Sequence, residues 1–328
     1  MMDQAKGNTQ QPIANTITNG SGFSVSIIDV GATIGSITIP QSDRVVDAVV
    51  SYRELSSYLT DPHYLGSTVG PVANRIRNAA ISLKGIEYRL DANDSDRGNC
   101  LHGGSTGLHR QRFTLECEEN EPIIRCSAKL EDGVGGFPGN RGFHVTYHFV
   151  DDWSLAIDFK VTTDRETVVN LANHTYFNLG GPLNDHKLRV FSESYTPVDD
   201  SMIPTGELRD VDGSAFDLRE MQTLGNRTFD HNFVLGESER ALRLASQLES
   251  PMTGLQLSVL TTQPAVQVYT GDYLSNPFNA RQGICFETQG FPDAPNQPSF
   301  PSILLEAGAT YSQRTVYQFA GGVKSRAR

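Results

Sequence analysis

The sequence is poor in several features that exclude whole classes of protein. Its 328 residues hold only four cysteines, Cys100, Cys117, Cys126 and Cys285, widely scattered and without a CxxC pair. In so large a chain that spacing offers no disulfide framework and fits a reduced, cytoplasmic setting. Basic residues are outnumbered 27 to 38, and a net charge of -11 argues against a nucleic-acid binder, which carries a basic face. No run approaches the roughly 18 apolar residues that suggest a membrane span. The polar opening from Met1 to Gln11 has no apolar core for export. Helical periodicity is scarce, with residues 52–59 and 216–224 the best short candidates.

What is present is β-strand pattern. Short alternating or β-branched runs recur at residues 24–28, 34–39, 112–117, 144–150, 154–161, 255–259 and 265–269. Thirty glycines and sixteen prolines punctuate them. Many strands without intervening helices predict an all-β fold, one large antiparallel β-sandwich, rather than a parallel α/β sheet. With no linker or composition shift, residues 18–320 are expected to form a single domain. A flexible polar tail is expected at residues 1–17 and a short basic tail at residues 321–328.

Several segments concentrate chemistry. Val169 to Gly181 sets His174 among side-chain amides, a hydroxyl and two aromatic rings, then closes on paired glycines. A proton donor, hydrogen-bonding groups and flat apolar faces in one segment suit a sugar, although a lone histidine near aromatics also reads as a core residue. Asn74 and Arg75 are adjacent, and arginine offers a rigid fork of donors for ligand oxygens. His102 precedes Gly103-Gly104, a turn that either projects it into a pocket or leaves it in solvent. Asp230 and His231 sit between Phe229 and Phe233, and Gln267 shares a strand face with Tyr269. In the segment 284–293 Glu287 lies inside an apolar strand, where a buried carboxylate requires an ion-pair partner or a function.

Other features point elsewhere. The glycine-rich loop 132–139 lacks the lysine of a phosphate-binding P-loop, so it is expected instead to place Phe137 at a pocket rim. Glu306 is expected at the surface. His144 and His148 share a strand face but would stand about 13 Å apart, too far to hold one ion easily. No metal and no cofactor are expected.

The segments NRI, LHGG, NHTYFNLGG, TPVDDSMIPTGE, FDHNF, VQVYTG and FETQGFPDAPNQP follow one another in this order. As an ordered set, spanning about residues 18 to 319, they resemble the aldose 1-epimerase, or galactose mutarotase, family. The resemblance implies a large antiparallel β-sandwich and an isomerase that interconverts the α and β anomers of a free aldose such as galactose or glucose. Matched position by position, it implies His174 as general acid and Glu287 as general base. It likewise implies Asn74, Arg75, His102, Asp230 and Gln267 as sugar-contacting residues. Asp230 is further expected to favour a charged His174. The chain departs from the family pattern at Pro71-Val72, Phe291 and Ala307, changes expected to border the pocket and bear on sugar preference. The expected partner is a small monosaccharide, with no nucleic acid or membrane, in a monomer or homodimer. Three alternatives stay open: a noncatalytic sugar-binding or sensor protein on the same fold, a β-sandwich glycosidase, which would need two facing carboxylates, and a sugar-phosphate epimerase, which would want extra basic residues at the pocket.

Overall fold

A computed structural model describes residues 11–94, 96–118, 121–236 and 241–321. Most of residues 1–17 and nearly all of residues 321–328, expected as tails, lie outside the described residues. The first strand, Ala14–Thr18, begins inside the stretch expected to be tail, because its residues pair in register with Ser24–Ile28.

The alternating runs fold as strands with bounds close to those their pattern predicts. A nine-stranded antiparallel sheet has Arg141–Asp151, Ser154–Thr163 and Thr310–Ala320 near its middle. A six-stranded sheet orders Tyr176–Phe177, Ile284–Gln289, Ala265–Tyr269, Asp230–Val234, Ser194–Thr196 and Arg209–Asp210. A four-stranded sheet built from residues 14–47 adds a further wall. The main core joins all three, with Ile27 and Ile37 from the small sheet and Tyr147, Phe159 and Tyr317 from the large one. Phe233, Val268 and Phe286 come from the six-stranded sheet.

Helix is confined, among the described residues, to single 3-10 turns. Of the candidate at 52–59 only Leu55–Leu59 is helical. The candidate at 216–224 is not helical. Asp217 and Arg219 tie that segment down as a loop, and Gln222–Thr223 pairs as an edge strand with Lys187 and Leu188. No described helix is long and apolar enough to cross a membrane.

The period of two in the six-stranded sheet positions the site. Val266, Val268 and Phe286 point into the core, so Gln267, Tyr269, Cys285 and Glu287 point to the opposite face. That face would be wet on an open sheet, but here Ala265–Tyr269 and Ile284–Gln289 are buried along their whole length. Loops carrying Tyr64, Asn74 and His102, with the short strand Arg75–Ile76, cover it and enclose a cavity.

Candidate active site

The cavity is about 270 Å³, and the sheet and the covering loops both contribute to it. His174, Glu287, Asn74, Arg75, His102 and Asp230 line it, together with Tyr64, Tyr176, Tyr269 and Tyr273. Gln267 stands behind the wall, its Nε2 donating to Asp230 Oδ1 at 2.6 Å. Two wider surface depressions lie elsewhere, one beside Lys84 and Glu166 and one around Pro301 to Ser312, and neither contains a histidine.

His174 is fixed from both sides by its backbone. Its N–H donates to Ser67 O at 2.8 Å, and its carbonyl accepts from Gly66 N–H at 3.0 Å. Asn173 Nδ2 donates to Gly66 O, while Asn173 Oδ1 accepts from the Thr175 hydroxyl. The amide and hydroxyl beside His174 are thus satisfied within the protein and serve to anchor the segment. The Tyr176 ring packs 5.1 Å from the imidazole, with its hydroxyl donating to His63 O. Thus held, His174 Nε2 stands 3.7 Å from Glu287 Oε1, and the two side chains are 4 % and 2 % exposed. Glu287 Oε2 has no hydrogen-bond partner.

His102 depends on its turn. His102, Gly103 and Gly104 all take positive φ, at 52°, 84° and 84°. A Cβ on Gly103 would strike the carbonyl oxygen of Gly70, so glycine is required there. Asn74 takes φ 61°, and its backbone N–H donates to His102 Nδ1 at 3.2 Å. With Nδ1 accepting, neutral His102 carries its proton on Nε2 and offers a donor. Arg75 is held by Asp94, Nε to Oδ2 at 3.0 Å, and its Nη1 reaches within 3.9 Å of Asp230 Oδ2. Tyr64 packs 4.6 Å from both His102 and His109 and 5.7 Å from His174.

Burial sets the electrostatics. It lowers His174 to about 4 and pushes His102 well below the ordinary imidazole range. The Glu287 carboxyl is raised well above its ordinary value, first by burial and then by the charge of Asp230. The expectation that Asp230 favours a charged His174 is therefore corrected: the field of Asp230 bears on Glu287 instead. Desolvation drives both members of the pair toward their neutral forms. The ligand atoms of His102, His174 and Glu287 all lie within 4.8 Å of one another, the one histidine–carboxylate cluster with a metal-like arrangement among the described residues.

Some expectations are not met. Phe137 is fully buried in a cluster with Val72 and Cys100, far from any rim role. Phe291 packs on Phe300 at 5.0 Å, and neither it nor Pro71 nor Val72 lines the cavity. Glu306 is exposed, as expected. His148 pairs with Asp158 at 3.0 Å on the outside of the large sheet. Sequence reasoning missed His63, Tyr64 and Tyr273, whose signals were only a proline-led His-Tyr pair in a loop and a lone tyrosine after a turn.

A family model described as aldose 1-epimerase matches residues 14–318. Galactose mutarotase from Rattus norvegicus is 37% identical over 318 residues, covering 91% of this chain and 91% of its own. Aldose 1-epimerase from Escherichia coli (strain K12) is 34% identical over 328 residues, covering 93% and 94%. The crystal structure of the GalM/aldose epimerase homologue from C. elegans superimposes with a TM-score of 0.88 at 27% identity, covering 94% of this chain and 99% of that one.

Proposed function

The chain belongs to the aldose 1-epimerase family, and from that premise we propose that His174 and Glu287 carry out its interconversion of the α and β anomers of free aldoses. The observation that supports these roles is the buried imidazole–carboxylate pair, 3.7 Å apart, facing one cavity. Two oxygens on one carbon, the C1 hydroxyl and the ring oxygen, suit two groups placed so close together.

Glu287 removes the C1 hydroxyl proton while His174 delivers a proton to the ring oxygen. The bond between C1 and the ring oxygen breaks and the open-chain aldehyde forms. Rotation about C1–C2 exposes the other face of the carbonyl, and the two groups reverse their roles on closing. The pair holds one proton throughout: imidazolium and carboxylate before opening, neutral imidazole and carboxylic acid after it. Burial favours the second arrangement on both members, since it lowers His174 and raises Glu287. Desolvation therefore makes the charged pair the costlier arrangement, and that cost is released as the proton passes across on ring opening. Positioned acid and base groups contribute roughly 10²–10⁴-fold each.

In this reading the His102 Nε2–H and the Arg75 guanidinium bind sugar oxygens, and Asn74 and Asp230 complete the polar wall. Gln267 contributes through Asp230, its partner at 2.6 Å. Tyr64, Tyr176 and Tyr269 supply apolar faces for the ring.

A glycosidase is disfavoured because Asp230, the second carboxylate on the cavity, accepts from Gln267 and lies beside Arg75, contacts that occupy it as an acceptor rather than free it as a second acid or nucleophile. The direct test is polarimetry on freshly dissolved α-anomers of galactose, glucose, xylose and arabinose. Wild type is expected to speed the decay to equilibrium, and His174→Asn to slow kcat by about 10²–10⁴-fold. A His174→Asn enzyme with wild-type turnover would remove the acid from the scheme.

A further inference from the structure

Strand pairing sets four polar side chains in one rank across the site face of the six-stranded sheet. Thr196 stands opposite Asn232, Asn232 opposite Gln267, and Gln267 opposite Glu287. Directly opposed residues on one face bring their Cβ atoms to about 4.5–5.5 Å, within reach for hydroxyl and amide groups. All four are buried, at 0%, 1%, 3% and 2% exposure. Polar atoms so deep are almost always hydrogen-bonded.

Yet the Thr196 hydroxyl, both polar atoms of Asn232 and Gln267 Oε1 have no partner within hydrogen-bonding distance. They line one small space together with Asn74, Arg75 and Asp230, and it has no room for a water molecule. With water excluded, these groups can bond only to side chains that wall the space, and strand register makes one another their directly opposed neighbours. Terminal amide torsions are soft, so turns about them are the adjustment that bonding along the rank requires.

The direction of bonding is dictated from one end. The Asp230 carboxylate faces Arg75 and accepts, so the nitrogen of the Gln267 amide must turn to it, as it does at 2.6 Å. Gln267 Oε1 is then left as an acceptor, and along the rank toward Thr196 the amide that can donate to it is Asn232 Nδ2. That choice leaves Asn232 Oδ1 as an acceptor, and the next residue in the rank, Thr196, has a hydroxyl to donate. The unpartnered atoms are complementary in order along the rank.

We propose that Thr196 and Asn232 are positioning residues, forming with Gln267 a one-way chain of hydrogen bonds that ends on Asp230 and holds that carboxylate in the sugar-binding wall. The proposal rests on the reading of Asp230 and Gln267 as sugar-binding residues. Neither Thr196 nor Asn232 touches the sugar cavity; they act through Gln267. Bonds in such a chain polarise one another in the same sense, so the last of them, onto the carboxylate, is strengthened.

The test is the split between KM and kcat for mutarotation, with melting temperature measured alongside. Asn232→Asp keeps the shape but can only accept, so Gln267 is driven to turn its Nε2 away from Asp230. KM is expected to rise about tenfold, the scale of one lost hydrogen bond to a charged group, while kcat stays within about threefold. Thr196→Val should raise KM by a smaller factor and Thr196→Ser should restore it, and both changes are mild enough to fold. Wild-type KM in Asn232→Asp and Thr196→Val, with only the melting temperature lowered, would overturn the chain. Gln267→Leu tests the premise separately. If it leaves KM unchanged, the sugar-binding reading fails; if it raises KM while Asn232 and Thr196 variants do not, only the chain fails.

Discussion

Glu287→Gln separates the chemistry of the proposed pair from its cost to the fold. Glutamine matches the carboxylate in shape and cannot take a proton at neutral pH. Losing a positioned base costs roughly 10²–10⁴-fold in kcat, which is about 2.7–5.4 kcal/mol of barrier. The effect on stability has the opposite sign. Burial raises the Glu287 pKa above its unfolded value, so wild type loses stability as pH rises from the ordinary carboxylate range through the folded value. Glutamine does not titrate and avoids that loss. Its amide can also donate, and it replaces a carboxylate whose Oε2 has no partner. The variant should therefore melt at or above the wild-type temperature at pH 8, with the difference shrinking toward pH 4. Polarimetric relaxation rates at several enzyme concentrations and melting curves at both pH values give the two readouts. Turnover within about threefold of wild type, or a variant that becomes less stable relative to wild type as pH rises, would refute the reasoning.

Further predictions follow from the same burial. In the proposed scheme the His174–Glu287 pair works with one proton, so kcat should be flat from near neutrality down toward pH 4, where His174 finally accepts a second, and should fall on the alkaline side only above the ordinary carboxylate range. A midpoint near 6.5 in the acid limb of the pH–rate profile would contradict this. His109 is lowered to about 3 by burial, so the unfolded chain gains its proton near pH 6.5 and the folded chain does not. Stability contributed by neutral His109 is then complete above about pH 6.5 and lost progressively as pH falls from there toward about 3. His109→Gln should flatten the decline of melting temperature between pH 7 and pH 4. Gly103→Ala forces a side chain into φ 84° against Gly70 O and should cost about 1–3 kcal/mol, read as a lowered melting temperature with a raised KM from a displaced His102.

The β-sandwich was legible because its strands alternate so plainly. Residues 24–28 and 265–269 fold as strands with the very limits their pattern marks. Glu287 was legible for a related reason: a carboxylate inside an apolar strand is conspicuous where little else is charged. The tyrosine wall was not. Tyr64 reaches the cavity from a loop at φ 58°, a placement no periodicity encodes. Phe137 misled because glycine-rich loops usually lie at surfaces. Here Gly136 packs against the backbone of Arg89, and the loop turns its ring inward beneath Arg141. The rank from Thr196 to Glu287 was likewise hidden, since its members are scattered over some ninety residues and meet only through strand register.

The two-faced strands of the six-stranded sheet also bear on how such a molecule can change over generations. Phe286 packs in the main core and Thr288 bonds Thr315 of the large sheet, so the stretch carrying Glu287 is constrained by folding itself. His63, Tyr64, His102 and Tyr273 instead sit on connections outside the sheets and form the cavity mouth and roof. Loop positions accept replacement far more readily than strands buried on both sides. On the roles proposed for Glu287 and the roof, descendants of this chain would exchange one sugar for another by redrawing the roof, while the reaction itself is inherited with the core.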